Sequence, residues 1–582
     1  MFARFFVRFI HWIGVGAVVV LACTLYLPFL DNLPVFDDRV FFSGILQSYY
    51  ATHPLGLALR LPPYFSLAIV QVISGDMEVH RLLSLALHIG CALALYKLCY
   101  DLQSTVERTV TQGGERFTPV AGIHGNAAIM AFFVAVVFAI HPVAVYGAGY
   151  LVQRTIVMAT LFSLLSIIFF HRGLRRRSHA DAISAALFYA LAVLSKEHAI
   201  LLPAVAVLVV FLVRMEKRFA LRHVAIYLAL CAPAAFFSVL LSKGIIGEAY
   251  EPDFGVIASQ MEGSFGEDIT KFPLTLSAIT QMGLFFKYLV LWLWPDTGAM
   301  SIDVRVDFLQ TWSIAWIVLK IGAFIAFGVI GFLLLRRGGR TGLAGFGMLY
   351  FWILFAVEFS AARFQEPFVL YRSYFWAPGI LLASAAFLSM LARRIVVVAA
   401  AAGIAIVIPV LFYQAQDRLV SFSKPLLLWQ DAMVKLPEGK VPWGSRTLYQ
   451  LGREYLYNEQ PDKAFEVIDR CIASYPTTVQ CLYARGAIHL QIEQYEQSLP
   501  YFSRAIELQP GSGIIYHRMG LALEGLGRIR EAKNNYQQAM KMGYAGAGNE
   551  ILRLESPGRG LSSRGKPGQV TSQNGAAAGK AR

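Results

Sequence analysis

Charge is what this chain has least of. Of its 582 residues only 15% are Asp, Glu, Lys or Arg, while 57% are hydrophobic. A soluble domain carries about a quarter charged residues, so most of the chain up to Tyr413 is expected to see lipid. Zinc-type Cys/His spacing is lacking as well. Four of the six cysteines (Cys23, Cys91, Cys99, Cys231) lie in or beside apolar runs and read as small buried hydrophobes. No small-residue cleavage site follows the first apolar run, so residues 9–30 read as an uncleaved helix behind Arg4 and Arg8. No internal repeat crosses the apolar half, which argues against a transporter built from duplicated halves.

What is present is a series of apolar runs near 20 residues long with basic clusters between them. Spans are expected near 9–30, 80–99, 127–140, 148–170, 181–195, 198–213, 221–242, 313–335, 341–357, 374–391 and 395–413. The net charge of +14 sits in short loops such as Arg172–Arg177 and Arg214–Arg218, the distribution of cytoplasm-facing loops rather than of a nucleic-acid surface. With the N-terminus inside, these loops and Arg336–Arg340 and Arg393–Arg394 all fall inside only if 276–294 is re-entrant or interfacial. That gives 11 crossings. Asp37/Asp38, His141, Lys196/Glu197, the loop 243–275, the segment 358–372 and everything after Tyr413 then share the outer face. In the long first outer loop, Val40–Tyr50 and Arg60–Ser74 read as short surface helices broken apart by Pro54, Pro62 and Pro63.

The C-terminal part carries a 34-residue period: Gly452, Gly486 and Gly520; Ala464, Ser498 and Ala532; Cys471, Ala505 and Ala539. This is tetratricopeptide (TPR) spacing, in which small residues let paired helices pack closely. The fold class expected is therefore all-α: a polytopic bundle over 1–415, a linker over 416–443, about three TPR units over 444–546 and a disordered basic tail over 547–582. Cys471 and Cys481 bracket the turn at Tyr475-Pro476 and are either a disulfide or two buried thiols.

The order Phe36-Asp37-Asp38, Arg60-Leu61-Pro62, Ala86-Leu87-His88, His141-Pro142, Ser195-Lys196-Glu197 and Tyr371-Arg372-Ser373-Tyr374, followed by TPR units, resembles the transmembrane-and-TPR glycosyltransferases. Their eukaryotic members are O-mannosyltransferases, and bacterial relatives include enzymes thought to glycosylate type IV pilins and other exported proteins. The resemblance implies the GT-C fold, a polyprenyl-phosphate-linked sugar donor arriving from the bilayer and a protein acceptor arriving from the aqueous side. It also implies a bacterial inner-membrane location with periplasmic TPR units. The chain departs from the eukaryotic pattern at Ala144-Val145-Tyr146, at Gln153-Arg154-Thr155-Ile156 and at Tyr371-Arg372, which leaves the sugar open.

Under that resemblance the catalytic candidates are Asp37 and Asp38, one as the base that takes the acceptor hydroxyl's proton and the other orienting the site. Arg372, Arg154 and Arg60 are candidates for the donor phosphate, because a guanidinium stabilises the charge that builds on the leaving group. Arg154 lies inside an apolar helix and is expected to need a partner that a lipid phosphate would supply. His141, Lys196, Glu197 and Tyr374 are candidate substrate contacts, whereas His88 reads as a satisfied core residue. The sequence establishes no cofactor, and Asp37 or Asp38 could hold a divalent cation. Two rival functions stay open: a lipid-linked glycan polymerase or ligase, and a non-enzymatic TPR scaffold for envelope assembly. The TPR tail favours a protein acceptor over a glycan one. If the topology is right, alkaline phosphatase fused after Gln416 is active and the same enzyme fused after Arg176 is inactive; the reverse pattern overturns it.

Overall fold

The structure is a computed structural model that describes residues 2–53, 58–111, 122–213, 215–243, 246–247, 271–306, 313–391, 395, 398, 401–439, 441 and 443–555. Most of the loop 243–275, the Arg393–Arg394 pair and the tail from 556 onward lie outside the described residues. The described residues are almost entirely helical, with one isolated antiparallel bridge between Val304 and Phe368. The chain forms two compact units that divide between Lys424 and Pro425.

In the first unit, eight described helices are long and apolar enough to cross a membrane, or nine if one bent pair counts as a single span. The sequence reading expects 11 crossings, some of them over residues outside the described ones. Ala180–Ser195 has 16 residues, about 24 Å, which is shorter than a hydrocarbon core of about 30 Å. The expected span 198–213 is instead a 3-10, α and 3-10 succession, Glu197–Leu201, Leu202–Leu208 and Val209–Phe211. Conversely, the stretch read as re-entrant is an unbroken 21-residue helix, Pro273–Leu293, long and apolar enough to cross. The bent pair turns by 63° at His141, where Pro142 forces the preceding residue out of helical conformation into an extended one (φ −71°, ψ 133°).

The first outer loop forms three helices, Asp37–Phe41, Ile45–Thr52 and Leu61–Ile73. Pro62 and Pro63 open the last of these rather than break it, since the first helical turn needs no amide donor.

Glycines set the closest packing. A Cβ on Gly347 would stand 2.5 Å from the Gly379 carbonyl oxygen, and one on Gly379 would stand 2.6 Å from the Gly347 oxygen, so Gly339–Phe355 and Leu370–Ser389 touch backbone to backbone. Gly345 abuts the backbone of Ile314–Arg337 on the other side in the same way. The exposed Ile314, Trp316, Val318 and Leu319 of that helix form an apolar outer surface suited to lipid. Polar groups collect at the two ends of this bundle. At one end Arg340 pairs with Glu107 at 3.5 Å, and Arg172 pairs with Asp181. Arg81, Arg154 and Glu358 occupy the opposite ends of the same helices or the turns that follow them.

The second unit stacks Gly444–Tyr457 with Pro461–Ser474, Val479–Gln491 with Tyr495–Leu508, and Gly513–Gly525 with Ile529–Lys541. The glycine of each pair faces a large residue of the second helix: Gly452 meets Ile468, Gly486 meets Phe502 and Gly520 meets Tyr536. The expected linker, 416–443, is partly helical. Ile408–Ser421 carries the first unit through it, and Pro425–Val434 belongs to the second. Residues 547–555, expected as the start of a disordered tail, are a helix, Ala547–Glu555, whose Ala547 is buried with Leu523 and Tyr536. Cys471 and Cys481 are bonded across the turn between repeats, with their Cα atoms 6.2 Å apart.

A Cβ on Gly486 would lie 2.7 Å from the Phe502 ring, so Gly486→Leu should destabilise the repeats by about 1–3 kcal/mol. Faster amide exchange over Val479–Gln491, partly reversed by adding Phe502→Ala, is the expected result.

Candidate functional site

The site begins with a loop that has little freedom. Arg81, buried at the start of its helix, donates to three carbonyls: Asn32 (2.7 and 3.0 Å), Leu33 (3.0 Å) and Gly149 (2.9 Å). The Asp38 carboxylate, with no solvent exposure, accepts from the amides of Val152 (2.8 Å) and Val35 (3.3 Å). Burial pushes its carboxyl up to about 7, against those amide bonds and the Arg81 charge. Asp37 is the exposed member of the pair, and its backbone amide donates to Tyr150 Oη at 3.0 Å. Phe36 just before it has φ 49°, and Arg60 has φ 62°, both left-handed values that a non-glycine residue holds only where its surroundings enforce them.

Beyond Tyr150 the other candidates line up through direct contacts. The Tyr150 and Tyr371 rings stand 6.2 Å apart, and Lys196 Nζ lies 5.9 Å from the Tyr371 ring centre. Glu197 takes a two-point bond from Arg60, at 2.7 and 3.2 Å. His198 stands between Glu197 (3.7 Å) and Glu358 (3.1 Å). Glu358, fully buried, also accepts Arg372 at 3.0 Å and lies 3.1 Å from Arg363 Nε. Asp37, Asp38, Arg60, Lys196, Glu197 and Arg372 therefore belong to one network. Burial raises the Glu197 carboxyl, but Arg60 and Lys196 outweigh it and hold the group well below its usual range. Lys196 is pushed down to about 7, by burial first and then by the Arg60 charge.

Helix Pro273–Leu293 holds the segment that carries Arg363 and Arg372. Gln281 donates to the Pro367 carbonyl at 2.6 Å, Tyr288 Oη bonds both the amide and the carbonyl of Val369, and Trp292 Nε1 donates to Ser373 Oγ at 2.9 Å.

Three candidates fall elsewhere. Arg154 is fully buried but needs no lipid phosphate as partner, because it donates to Ser84 Oγ, Ser66 Oγ and the His80 carbonyl. Tyr374 points into the core, bonded to His88 at 2.7 Å, and it is Tyr371 that stands near Tyr150 and Lys196. His88 is satisfied on both nitrogens, the second by the Ala139 carbonyl at 2.9 Å. His141 stacks on Trp292 at 4.3 Å and lines an apolar cavity of about 210 Å³ with Phe133, Leu381, Leu388 and Leu411. Both Asp38 oxygens accept backbone amides, and among the described residues no group of three or more His, Cys, Asp or Glu is placed to hold a metal ion.

Sequence reasoning missed Glu358, His198, Arg363 and Tyr371. A signal for Glu358 existed, namely an acid directly after the apolar run 342–357.

Among known proteins, the tetratricopeptide repeat family matches residues 449–513 and 514–542. The BBSome complex member BBS4 of Xenopus tropicalis is 28% identical over 114 residues, covering 20% of this chain and 21% of that protein; the Mus musculus protein is 25% identical over 121 residues, covering 21% and 22%. The chain thus spans about a fifth of the length of these curated relatives. Among solved structures, the Archaeoglobus fulgidus oligosaccharyltransferase in its apo form aligns with TM-score 0.42 at 16% identity, over 76% of this chain and 59% of that one. The same organism's oligosaccharyltransferase AglB, in complex with an inhibitory peptide and a dolichol-phosphate, aligns with TM-score 0.39 at 14% identity, over 79% and 59%.

Removing the Glu358 charge takes from Arg363 and Arg372 the buried carboxylate they share, leaving Arg372 with Glu366 as a more distant carboxylate at 3.9 Å. Glu358→Gln should lower stability by about 3–5 kcal/mol, read as a lower melting temperature in detergent. Adding Arg372→Met should recover part of the loss.

Proposed function

We propose that the chain is a GT-C type glycosyltransferase that moves a sugar from a polyprenyl-phosphate-linked donor to hydroxyl groups of an exported protein, type IV pilin being the first candidate. The observation that carries this reading is that the loop bearing an exposed carboxylate, Asp37, is bonded through its backbone to Tyr150, whose ring stands 6.2 Å from Tyr371 beside a mostly buried cationic group, Lys196 with Arg60 and Arg372, at one end of an apolar helical bundle. The apolar cavity beside it suits an isoprenoid chain, since its Trp292 wall bonds Ser373, the neighbour of Arg372.

In this reaction Asp37 takes the proton as the acceptor oxygen forms its bond to the anomeric carbon. The bond from that carbon to the phosphate oxygen breaks, and polyprenyl phosphate leaves toward the cations. Asp38 keeps the loop in place. The Cys471–Cys481 bond supports placing the repeats in an oxidising compartment, the periplasm of a Gram-negative cell, where they would hold the protein acceptor.

Asp37→Asn is nearly isosteric yet cannot act as a base, so transfer should fall by about 10²- to 10⁴-fold while the protein still inserts and melts normally. Intact-mass analysis of exported proteins, pilin first, from wild-type, deletion and Asp37→Asn strains checks this. Full glycosylation in the Asp37→Asn strain would sink the catalytic role.

A further inference from the structure

The arginine side chains of the network already have protein partners. Arg60 is held at two points by Glu197, and Arg363 and Arg372 share Glu358. Lys196 is different. It is 5% exposed, yet among the described residues its ammonium makes neither a hydrogen bond nor an ion pair; its nearest defined contact is the face of Tyr371. Glu197 acts on it only at a distance, and the other charges acting on it, Arg60, Arg363 and Arg372, are all cations. A cation in such a place costs stability, and its protein neighbours return only the Tyr371 face and the attraction of Glu197, against three cations. The missing element is an anion.

We propose that Lys196 is the anion-receiving group of this site and donates to a phosphate oxygen of the donor, with Tyr371 as the platform that fixes its direction. This rests on the glycosyl-transfer reading, to which it adds a division of labour. The arginines, tied to Glu197 and Glu358, build the rim and supply long-range positive field, while Lys196 makes the direct bond. The downward pull on the Lys196 ammonium agrees with a cation whose counter-ion arrives with the ligand. Three cations, Arg60, Arg363 and Arg372, oppose the one acid, Glu197, that attracts Lys196, so replacing it relieves more repulsion in the ligand-free protein than the attraction it removes. A purely structural lysine would behave in the opposite way.

The test uses the full chain in detergent or nanodiscs, titrated with farnesyl phosphate, farnesol, inorganic phosphate and phosphatidylglycerol vesicles, and followed by melting temperature and direct binding. Wild type should bind farnesyl phosphate and not farnesol, with inorganic phosphate competing weakly. Lys196→Met should melt at or above the wild-type temperature yet bind farnesyl phosphate about 10- to 100-fold more weakly, and Lys196→Arg should recover part of the affinity. Unchanged affinity in Lys196→Met, or a lower melting temperature with affinity retained, would overturn the assignment. Protection by phosphatidylglycerol alone would also overturn it, in favour of a bilayer headgroup. The readout is binding, so it separates from the base hypothesis: if Asp37→Asn transfers normally while Lys196→Met loses the phosphate, the anion site stands and the catalytic Asp falls.

Discussion

One buried carboxylate organises this end of the molecule. Glu358 has no exposure, and it brings together His198 from one broken helix, Arg363 from a loop and Arg372 from the first turn of another helix. Desolvating so many charges is tolerable only when each has a close opposite partner. The backbone contact of Gly347 with Gly379 supplies that closeness, since it fixes Gly339–Phe355 against Leu370–Ser389 with no side chain between them. Glu358 follows the first of these helices and Arg372 opens the second, so the helix packing sets the geometry of the ion pair.

The first loop is fixed by a separate device. Arg81 gathers three carbonyls and Asp38 gathers two amides, so a segment with little regular structure has its polar groups satisfied by two charged side chains. Such a frame can hold Phe36 in an unfavourable backbone conformation and present Asp37 to solvent. Adjacent acids of identical chemistry thereby acquire different surroundings: one is desolvated and bonded, the other exposed.

Much of this was legible. Apolar runs showed the membrane half, and the 34-residue period showed the repeats, because both are local patterns with a fixed spacing. Asp37, Lys196, Glu197 and Arg372 stood out as charges beside apolar runs, the kind of residue that needs a reason to be there. What could not be read was pairing. Arg154 looked unpartnered because its acceptors, Ser84, Ser66 and the His80 carbonyl, are 70 to 88 residues away and ordinary in sequence. Tyr374 and Tyr371 are three residues apart, and only the packing of Tyr374 against His88 decides which of them faces the site. Span boundaries failed where a helix was apolar but short, as at Ala180–Ser195, since hydropathy reports burial as readily as lipid contact.

Under the proposed reaction the site faces a conflict between its own charges. The base must take a proton while the cations meet the charge that builds on the phosphate. Here the Asp37 backbone is tied to Tyr150, Lys196 lies over Tyr371, and the two rings are 6.2 Å apart. Two tyrosines therefore lie along the path from the acidic loop to the cations. An aromatic pair there offers a surface on which a sugar ring can rest while contributing no charge of its own. Under the proposal, the acceptor's proton passes to the acidic loop and the phosphate's charge is met by the cations, with the tyrosines along the way between the loop and Lys196 as the resting surface for the sugar.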